Sequence, residues 1–520
     1  MNNRLFSALL FFFLLLPSAP ACAKTVVIYH TSDVHGFYSS RPAAVFGSTS
    51  AVLAGGFAAL SAIAKKEQAP VILLDSGDWF TGTPEGDLTR GLASVRLMNA
   101  AGYTAALIGN HEFDHGEEAL EADISSAVFR VLGANIFRSG ARVPYAAPYM
   151  VAEAGGERIA VIGITNPRTP GLTAGDVSGL SFPEEKETLL ELLPEVEKLG
   201  VDAVVLLVHD GIYTGDFIDG ANWTPPESAA ASGTLALARA AAGRVQVILG
   251  GHMHTLLTAG YKDSATGTVI GESGWGLLYA SRVELSFDDK TGKFTGASDR
   301  AVPILVAAAG EDPAVLAVLE PLKEKIAARM NTVIGEAAED LPEGPRGAVF
   351  PDSPLGSLFC DMIRDYAGTQ IVIQNTEGLR AGLKKGPVTF RALYEAAPFD
   401  AELVTLRLSG ARLEALLRES LSEGSPAVQV SGIELEYSGA RDGTIKDLSV
   451  RAGGKPLEAQ KTYSVAANDF FLRSPRWRAL TAGKYEKKGT LIRDIVVSAI
   501  KSAGKPLTAP APGRIKRTAI

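Results

Sequence analysis

Cysteine is nearly absent from this chain: 520 residues contain two, Cys22 and Cys360. That excludes a disulfide-stapled scaffold and a cysteine-ligated zinc or iron–sulfur centre, so a hydrophobic core must hold the fold. Histidine is absent from the second half. All seven lie before residue 255, at His30, His35, His111, His115, His209, His252 and His254. No apolar run after the N-terminus is long enough to cross a bilayer, so no transmembrane segment is expected in the mature protein. An excess of basic residues is also missing. The net charge of −8 argues against a nucleic-acid polymer as partner. Repeats and low-complexity segments are lacking, and nothing marks an obligate protein partner.

What is present begins with the N-terminus. Arg4 precedes the apolar run Leu5–Leu16, and small residues follow at Ser18, Ala19, Ala21 and Ala23. This is the pattern of a secretory signal peptide over residues 1–23, with cleavage after Ala21 or Ala23. The expected location is therefore exported, periplasmic or extracellular. Lipid attachment at Cys22 is the lesser alternative, because Ala19 is a poor residue three places before it. The length implies two domains.

Strand and helix patterns alternate through the first half. Thr25–Tyr29, Val71–Leu74, Thr104–Ile108, Arg158–Ile164, Val201–Val208 and Val245–Leu249 read as apolar strands. Gly55–Lys66, Ala93–Ala101, Glu184–Leu199 and Leu235–Ala242 read as helices. This is an α/β arrangement with much parallel character, in which function collects at the carboxyl ends of strands. Ser281–Phe287 alternates and runs into a hairpin turn at Asp288–Lys293. Asp312–Thr332 is a helical stretch interrupted by Pro321, and the domain connection is expected in or beside it. A second α/β unit follows, with strands at Ile371–Ile373, Leu403–Leu408, Ile433–Tyr437 and Tyr463–Ala467. The tail Lys501–Arg517 reads as a surface extension.

Five of the early strands end in ligand-type residues. They are Asp33-x-His35, Gly77-Asp78, Gly109-Asn110-His111-Glu112-Phe113-Asp114, His209-Asp210 and Gly250-Gly251-His252-x-His254. Any one of them is as well explained by a turn. All five together, at one kind of position, indicate ligands gathered from distant segments. Asp, His and Asn donors suit Zn, Mn, Co, Fe or Ni, and do not choose among them. There are too many donors for one ion. Two divalent metal ions sharing a carboxylate can activate water and neutralise the oxygens of an in-line displacement at phosphorus.

In order and residue type these motifs resemble the calcineurin-like metallophosphoesterases. More narrowly, they resemble the secreted 5′-nucleotidase/UDP-sugar hydrolase family. The resemblance implies an N-terminal β-sandwich flanked by helices (α/β/β/α) over residues 24–308. A helical linker would follow over 309–333, then a smaller C-terminal α/β substrate-binding domain over 334–520. It implies Asp33, His35, Asp78 and His254 on one metal, and Asp78, Asn110, His209 and His252 on the other, with Asp78 bridging. His111 and Asp114 would be a catalytic dyad. His30, His115 and Glu112 receive supporting or structural roles.

The second half resembles the family's substrate domain less closely. Asn375-Thr376-Glu377-Gly378-Leu379-Arg380 is similar to its Asn-x-x-Gly-x-Arg signature, implying substrate contacts from Asn375 and Arg380. Phe399 and Phe470 would clamp a nucleobase. Two departures stand out. Phe471–Trp477 replaces the usual Gly-Gly-Asp-Gly-aromatic segment, and the arginines expected near Asp352–Leu358 are missing. The expected activity is hydrolysis of nucleoside 5′-monophosphates, with a small-molecule nucleotide as substrate. UDP-sugars or other pyrophosphates, 2′,3′-cyclic nucleotides and sulfur esters are the rival substrates on the same centre. A binding protein without turnover is the rival of a different class.

Overall fold

The computed structural model describes residues 23–518, except 47, 49, 213–216, 227–232, 345–351, 422–427, 440–444, 472–476, 478, 480, 482 and 483. The expected signal segment through Cys22 and the departure over residues 472–476 lie outside the described residues.

The first half is a sandwich of two sheets. One has eight strands, in the order Phe217–Asp219, Leu256–Ala259, Phe294–Pro303, Tyr279–Asp288, Ala23–Thr31, Val71–Asp75, Ala105–Leu107 and Arg130–Leu132. The other has six, in the order Tyr261–Lys262, Val269–Glu272, Val247–Gly250, Ala203–Val208, Glu157–Ile164 and Tyr149–Ala154. The apolar runs of the central parallel strands Val71–Asp75, Ala105–Leu107, Glu157–Ile164, Ala203–Val208 and Val247–Gly250 are unbroken because both of their faces are covered. Val26, Ile28, Ile72 and Leu74 face Ile159, Val205, Leu207 and Leu249 between the sheets. Their alternates Val27, Tyr29 and Leu73 pack outward against the helices Phe57–Lys66 and Leu92–Ala101. Ala160, Ile162, Leu206 and Ile248 do the same against Glu185–Glu197 and Gly233–Ala241.

Register decides where the site lies. Thr31 pairs beside Asp75, and Asp75 beside Ala106, in one sheet. Ile164 pairs beside Val208, and Leu207 beside Leu249, in the other. The parallel strands of each sheet therefore end level, and every ligand-type motif begins within a few residues of that edge.

The chain then forms the hairpin Tyr279–Asp288 and Phe294–Pro303, whose turn is held by Asp288 Oδ1 accepting from the Lys290 and Thr291 N–H groups. Pro313–Met330 is one continuous helix, so the expected interruption at Pro321 does not occur. Pro321 lies on the exposed side, as does Ala317, whose carbonyl loses its intrahelical partner and can be hydrated instead. Val315 and Leu319 on the opposite side anchor the helix in the N-terminal core.

The second half has a five-stranded sheet ordered Val428–Ser431, Ile371–Asn375, Thr462–Asn468, Glu402–Ser409 and Glu486–Leu491. A four-stranded sheet is ordered Lys455–Pro456, Ile445–Ala452, Ile433–Gly439 and Ile515–Arg517. The tail is thus no surface extension. Ile515–Arg517 adds a parallel strand beside Leu435–Tyr437, and Leu507 is buried. Arg514 donates two bonds to the Asp361 carboxylate, at 2.9 and 2.6 Å. The tail's basic residues misled because one of them serves an internal ion pair.

Candidate active site

The five motif segments converge at the level edge of the two sheets. Asp33, His35, Asp78, His252 and His254 all have positive φ, between 50° and 67°. They are five of the nine such non-glycine residues among those described. A left-handed backbone costs an ordinary residue on the order of 1 kcal/mol, and such strain clusters at functional sites. Glycines make the close approaches around them. A Cβ on Gly109 would stand 2.4 Å from Asp78 Oδ1, and one on Gly77 would stand 2.9 Å from His209 Nδ1.

Two groups of donors form. In one, Asp33, His35 and His254 bring ligand-type atoms within 4.8 Å of one another. In the other, Asp78, His209 and His252 do the same. His35 Nδ1 lies 2.7 Å from the Thr81 carbonyl and His209 Nδ1 lies 2.7 Å from the Ser76 carbonyl. A carbonyl only accepts, so both Nδ1 atoms carry protons and both Nε2 atoms point inward as donors to a cation. The His35 and His254 Nε2 atoms are 3.0 Å apart. His209 Nε2 is 3.0 Å from Asp78 Oδ2 and 3.1 Å from Asn110 Oδ1. Electron pairs converge from imidazole, carboxylate and amide, and a cation would satisfy them.

The electrostatics divide the imidazoles. Burial opposes protonation of His209, but Asp78 outweighs it and pushes the imidazole up to about 10, so a cation would take the place of that proton. Burial holds the His35 and His252 imidazoles down to about 3, in the neutral, ligating form. Burial raises the Asp33 carboxyl. Burial works against the Asp78 carboxylate too, but His209 and His111 outweigh it and hold its carboxyl well below the usual range. This donor set, buried and free of sulfur, fits divalent cations.

Behind the ligands lies a supporting set of hydrogen bonds. The buried Glu112 carboxylate accepts from the backbone N–H groups of Asp78, Trp79 and Gly109 at 2.9, 2.6 and 2.7 Å. It ties the Asp78 turn to the strand end carrying Asn110. His30, fully buried, bonds Ser76 Oγ at 2.8 Å, and that hydroxyl donates to the Leu249 carbonyl across the sandwich. His115 stacks on Phe80 and belongs to neither donor group.

His111 Nδ1 donates to Asp114 Oδ2 at 2.7 Å. Asp114 also accepts from the Thr81 and Thr173 hydroxyls and the Ala174 N–H, so its orientation is set on every side. Burial opposes protonation of His111, but Asp114 and Asp78 prevail and its imidazole is pushed up to about 9. His111 reaches the donor groups through Asp78, whose Oδ1 accepts its backbone N–H at 2.9 Å.

The C-terminal half meets this edge through two of the four residues expected to touch substrate. Phe399 lies nearly parallel to the His111 ring, with centroids 5.8 Å apart. The Arg380 guanidinium sits 5.7 Å from the Phe399 ring centre. Arg493 holds the Phe399 turn by donating to the Ala397 and Pro398 carbonyls and to Asp400. Asn375 and Asn468 end neighbouring parallel strands, and Asn375 Oδ1 accepts from Asn468 Nδ2 at 2.7 Å. Phe470 is half-buried and does not line the cavity that Phe399 and Arg380 share. Sequence reasoning missed the other lining residues, Phe37, Thr81, Gly82, Trp275, Ala381 and Glu395. Only Trp275 carried a signal, as a large aromatic set between glycines.

Comparison with known proteins fits this geometry. The calcineurin-like phosphoesterase family matches residues 26–256, and the 5′-nucleotidase C-terminal domain family matches residues 333–475. Protein UshA of Yersinia enterocolitica is 27% identical, over 90% of this chain and 87% of its own. The 5′-nucleotidase of Vibrio cholerae is 26% identical, over 86% of this chain and 84% of its own. A 5′-nucleotidase precursor from Thermus thermophilus, solved by crystallography, superposes with a TM-score of 0.81 at 27% identity, covering 95% and 99% of the two chains.

Fold and site together define a hydrolase acting on phosphoesters, with two side-chain groups suited to divalent cations. The chain belongs to the calcineurin-like phosphoesterases that carry a 5′-nucleotidase C-terminal domain.

Proposed function

We propose that the protein is a 5′-nucleotidase, releasing phosphate and a nucleoside from nucleoside 5′-monophosphates. The observation that carries the reading is the pair of donor groups beside an oriented imidazole, with Phe399 and Arg380 of the second half closing over them. Asp33, His35, Asp78 and His254 would hold one cation. Asp78, Asn110, His209 and His252 would hold the other. Bound there, two divalent cations supply Lewis-acid chemistry and water activation.

The chain's own residues do the rest. Asp114 fixes the His111 ring, so His111 presents Nε2–H to a phosphoryl oxygen as charge grows on it in the transition state. Arg380 offers a planar fork suited to the phosphate or to an anionic part of the substrate. Phe399 covers the dyad and excludes water from it. The segment 1–23 directs export, and no described helix is long and apolar enough to cross a membrane. N-terminal sequencing of exported protein tests the cleavage site.

The main test is phosphate release from a nucleoside 5′-monophosphate, UDP-glucose and a 2′,3′-cyclic nucleotide, after chelation and single-metal add-back. The monophosphate should be fastest, and His111→Ala should lower its rate by about 10²–10⁴-fold while metal stays bound. Faster turnover of UDP-glucose or the cyclic ester would move the assignment to that substrate. Ligand binding with no release by either protein would mean a binding protein.

A further inference from the structure

We infer that Trp275, backed by Phe37, is the N-terminal half of the leaving-group site and selects esters whose leaving group carries a flat ring. The inference rests on the phosphoesterase reading above and deepens it.

A cavity of about 130 Å³ lies where the two halves meet. His35, a candidate metal ligand, lines it together with Thr81, which holds both His35 and Asp114. A leaving group extending from the reacting phosphorus therefore has this space beside it. The C-terminal half contributes Phe399, Arg380 and Glu395. The N-terminal half contributes two aromatic rings, Phe37 and Trp275.

Those two rings are set in place before any ligand arrives. Trp275 lies nearly parallel to the His254 imidazole, at 5.6 Å and 17°. Phe37 meets its edge at 5.5 Å and 80°. The Arg41 guanidinium sits 4.2 Å from the Phe37 ring centre and donates to the Gly276 carbonyl at 2.8 Å. The Gly276 N–H donates to the Asp33 carbonyl at 2.7 Å, which pins the backbone beside Trp275 to a ligand-bearing turn. A large aromatic ring held rigidly and left part-exposed at a cleft offers contact area with little ordering to do on binding.

A flat ring entering this cavity meets aromatic side chains from both halves. The sequence pattern points to Phe470 as the partner of Phe399, but Phe470 does not line the cavity and Trp275 does. Glu395 supplies an acceptor for polar substituents on the ring, while Arg380 faces the same cavity for the anionic part of the substrate. A leaving group without a ring leaves the Trp275 and Phe37 faces uncovered. Stacking on an aromatic side chain is worth enough to shift selectivity by about fivefold to a hundredfold.

The test compares an adenosine 5′-monophosphate substrate with ribose 5-phosphate, which has the same ribosyl ester and no base. Trp275→Leu should lower the ratio of the two kcat/KM values by at least about fivefold, chiefly through KM for the nucleotide. Trp275→Phe should restore most of the ratio, because it keeps a ring. If Trp275 only covers His254, metal loss lowers both substrates together, and an unchanged ratio overturns the inference. Should Trp275→Leu fail to fold, Phe37→Leu is expected to lower the same ratio, and its failure to do so overturns the inference equally.

Wild-type protein inactive on nucleotides but active on p-nitrophenyl phosphate would defeat the nucleotidase reading alone. The ring selectivity would then be read from p-nitrophenyl phosphate against ethyl phosphate in the same variants. A lowered ratio would again support the role of Trp275, and an unchanged one would overturn it.

Discussion

Replacing Glu112 by glutamine changes one buried oxygen to an NH₂ group and should loosen the metal site without touching a ligand. Glu112 Oε2 accepts from the Asp78 and Gly109 N–H groups, and Oε1 accepts from Trp79 N–H. The amide can keep its oxygen toward Asp78 and Gly109. Its NH₂ then faces the Trp79 N–H, donor against donor. One charge-assisted bond is lost, about 1.5–3 kcal/mol, and the other two fall to neutral strength. Removing a buried charge gives some of this back, so a net loss of about 2–4 kcal/mol is expected. Because those N–H groups belong to the turn of Asp78 and the strand end of Asn110, metal affinity should fall about 10–100-fold. Denaturant unfolding of the chelated protein reads the first quantity, and competition with a chromogenic chelator reads the second. A Glu112→Gln protein with the wild-type denaturation midpoint and metal affinity would refute the claim that this carboxylate organises the centre.

Other outcomes follow from single contacts. Arg391 grips the Glu85 carboxylate with two bonds, at 2.9 and 2.7 Å, joining the helix Phe390–Ala396 to the turn at Pro84–Asp87. Arg391→Met leaves that buried carboxylate without its partner and should cost about 1–3 kcal/mol in thermal unfolding; no change in midpoint would mean the bridge is idle. Burial pushes the Asp312 carboxyl up, but bonds from Lys65, Ser61 and the Ala314 N–H prevail and hold it below the usual range. A depressed folded pKa means that this stability is present above the unfolded value of about 3.9 and is lost as pH falls through the folded value. Acid titration of Asp312→Asn should therefore lose less stability on this side than wild type does. Burial pushes the Cys360 thiol up, so a thiol reagent at mildly alkaline pH should leave it unlabelled in native protein and label it in urea.

The ligand motifs were legible because each follows an apolar strand, and strands read clearly when both faces are buried. The apolar runs did not betray the sheet order, however. The strand Ala23–Thr31, which leads into Asp33, lies between Tyr279–Asp288 and Val71–Asp75, and the first of these neighbours comes from the far end of the N-terminal half. Pro321 misled because its effect depends on which side of the helix meets water. The tail misled because Ile515 finds its partner strand about eighty residues upstream. The sequence suggested a supporting role for Glu112 but not its partners, and it gave no sign of Thr81 or Ser76, because hydroxyls and carbonyls have no sequence signature when their partners lie on remote turns.

By itself the sequence determined the set of donors, their order along the chain, and the α/β character that puts them at strand ends. These are local properties, written in residue type and in the strand and helix periods of about 2 and 3.6. Residue type and spacing alone did not say which donors stand together; the family resemblance implied a grouping, and the tertiary structure brings Asp33 to His35 and His254, Asp78 to His209 and His252, and Trp275 rather than Phe470 into a cavity with Phe399. Such pairings depend on strand order, register and the approach of one half to the other, which are set by packing among residues far apart in the chain.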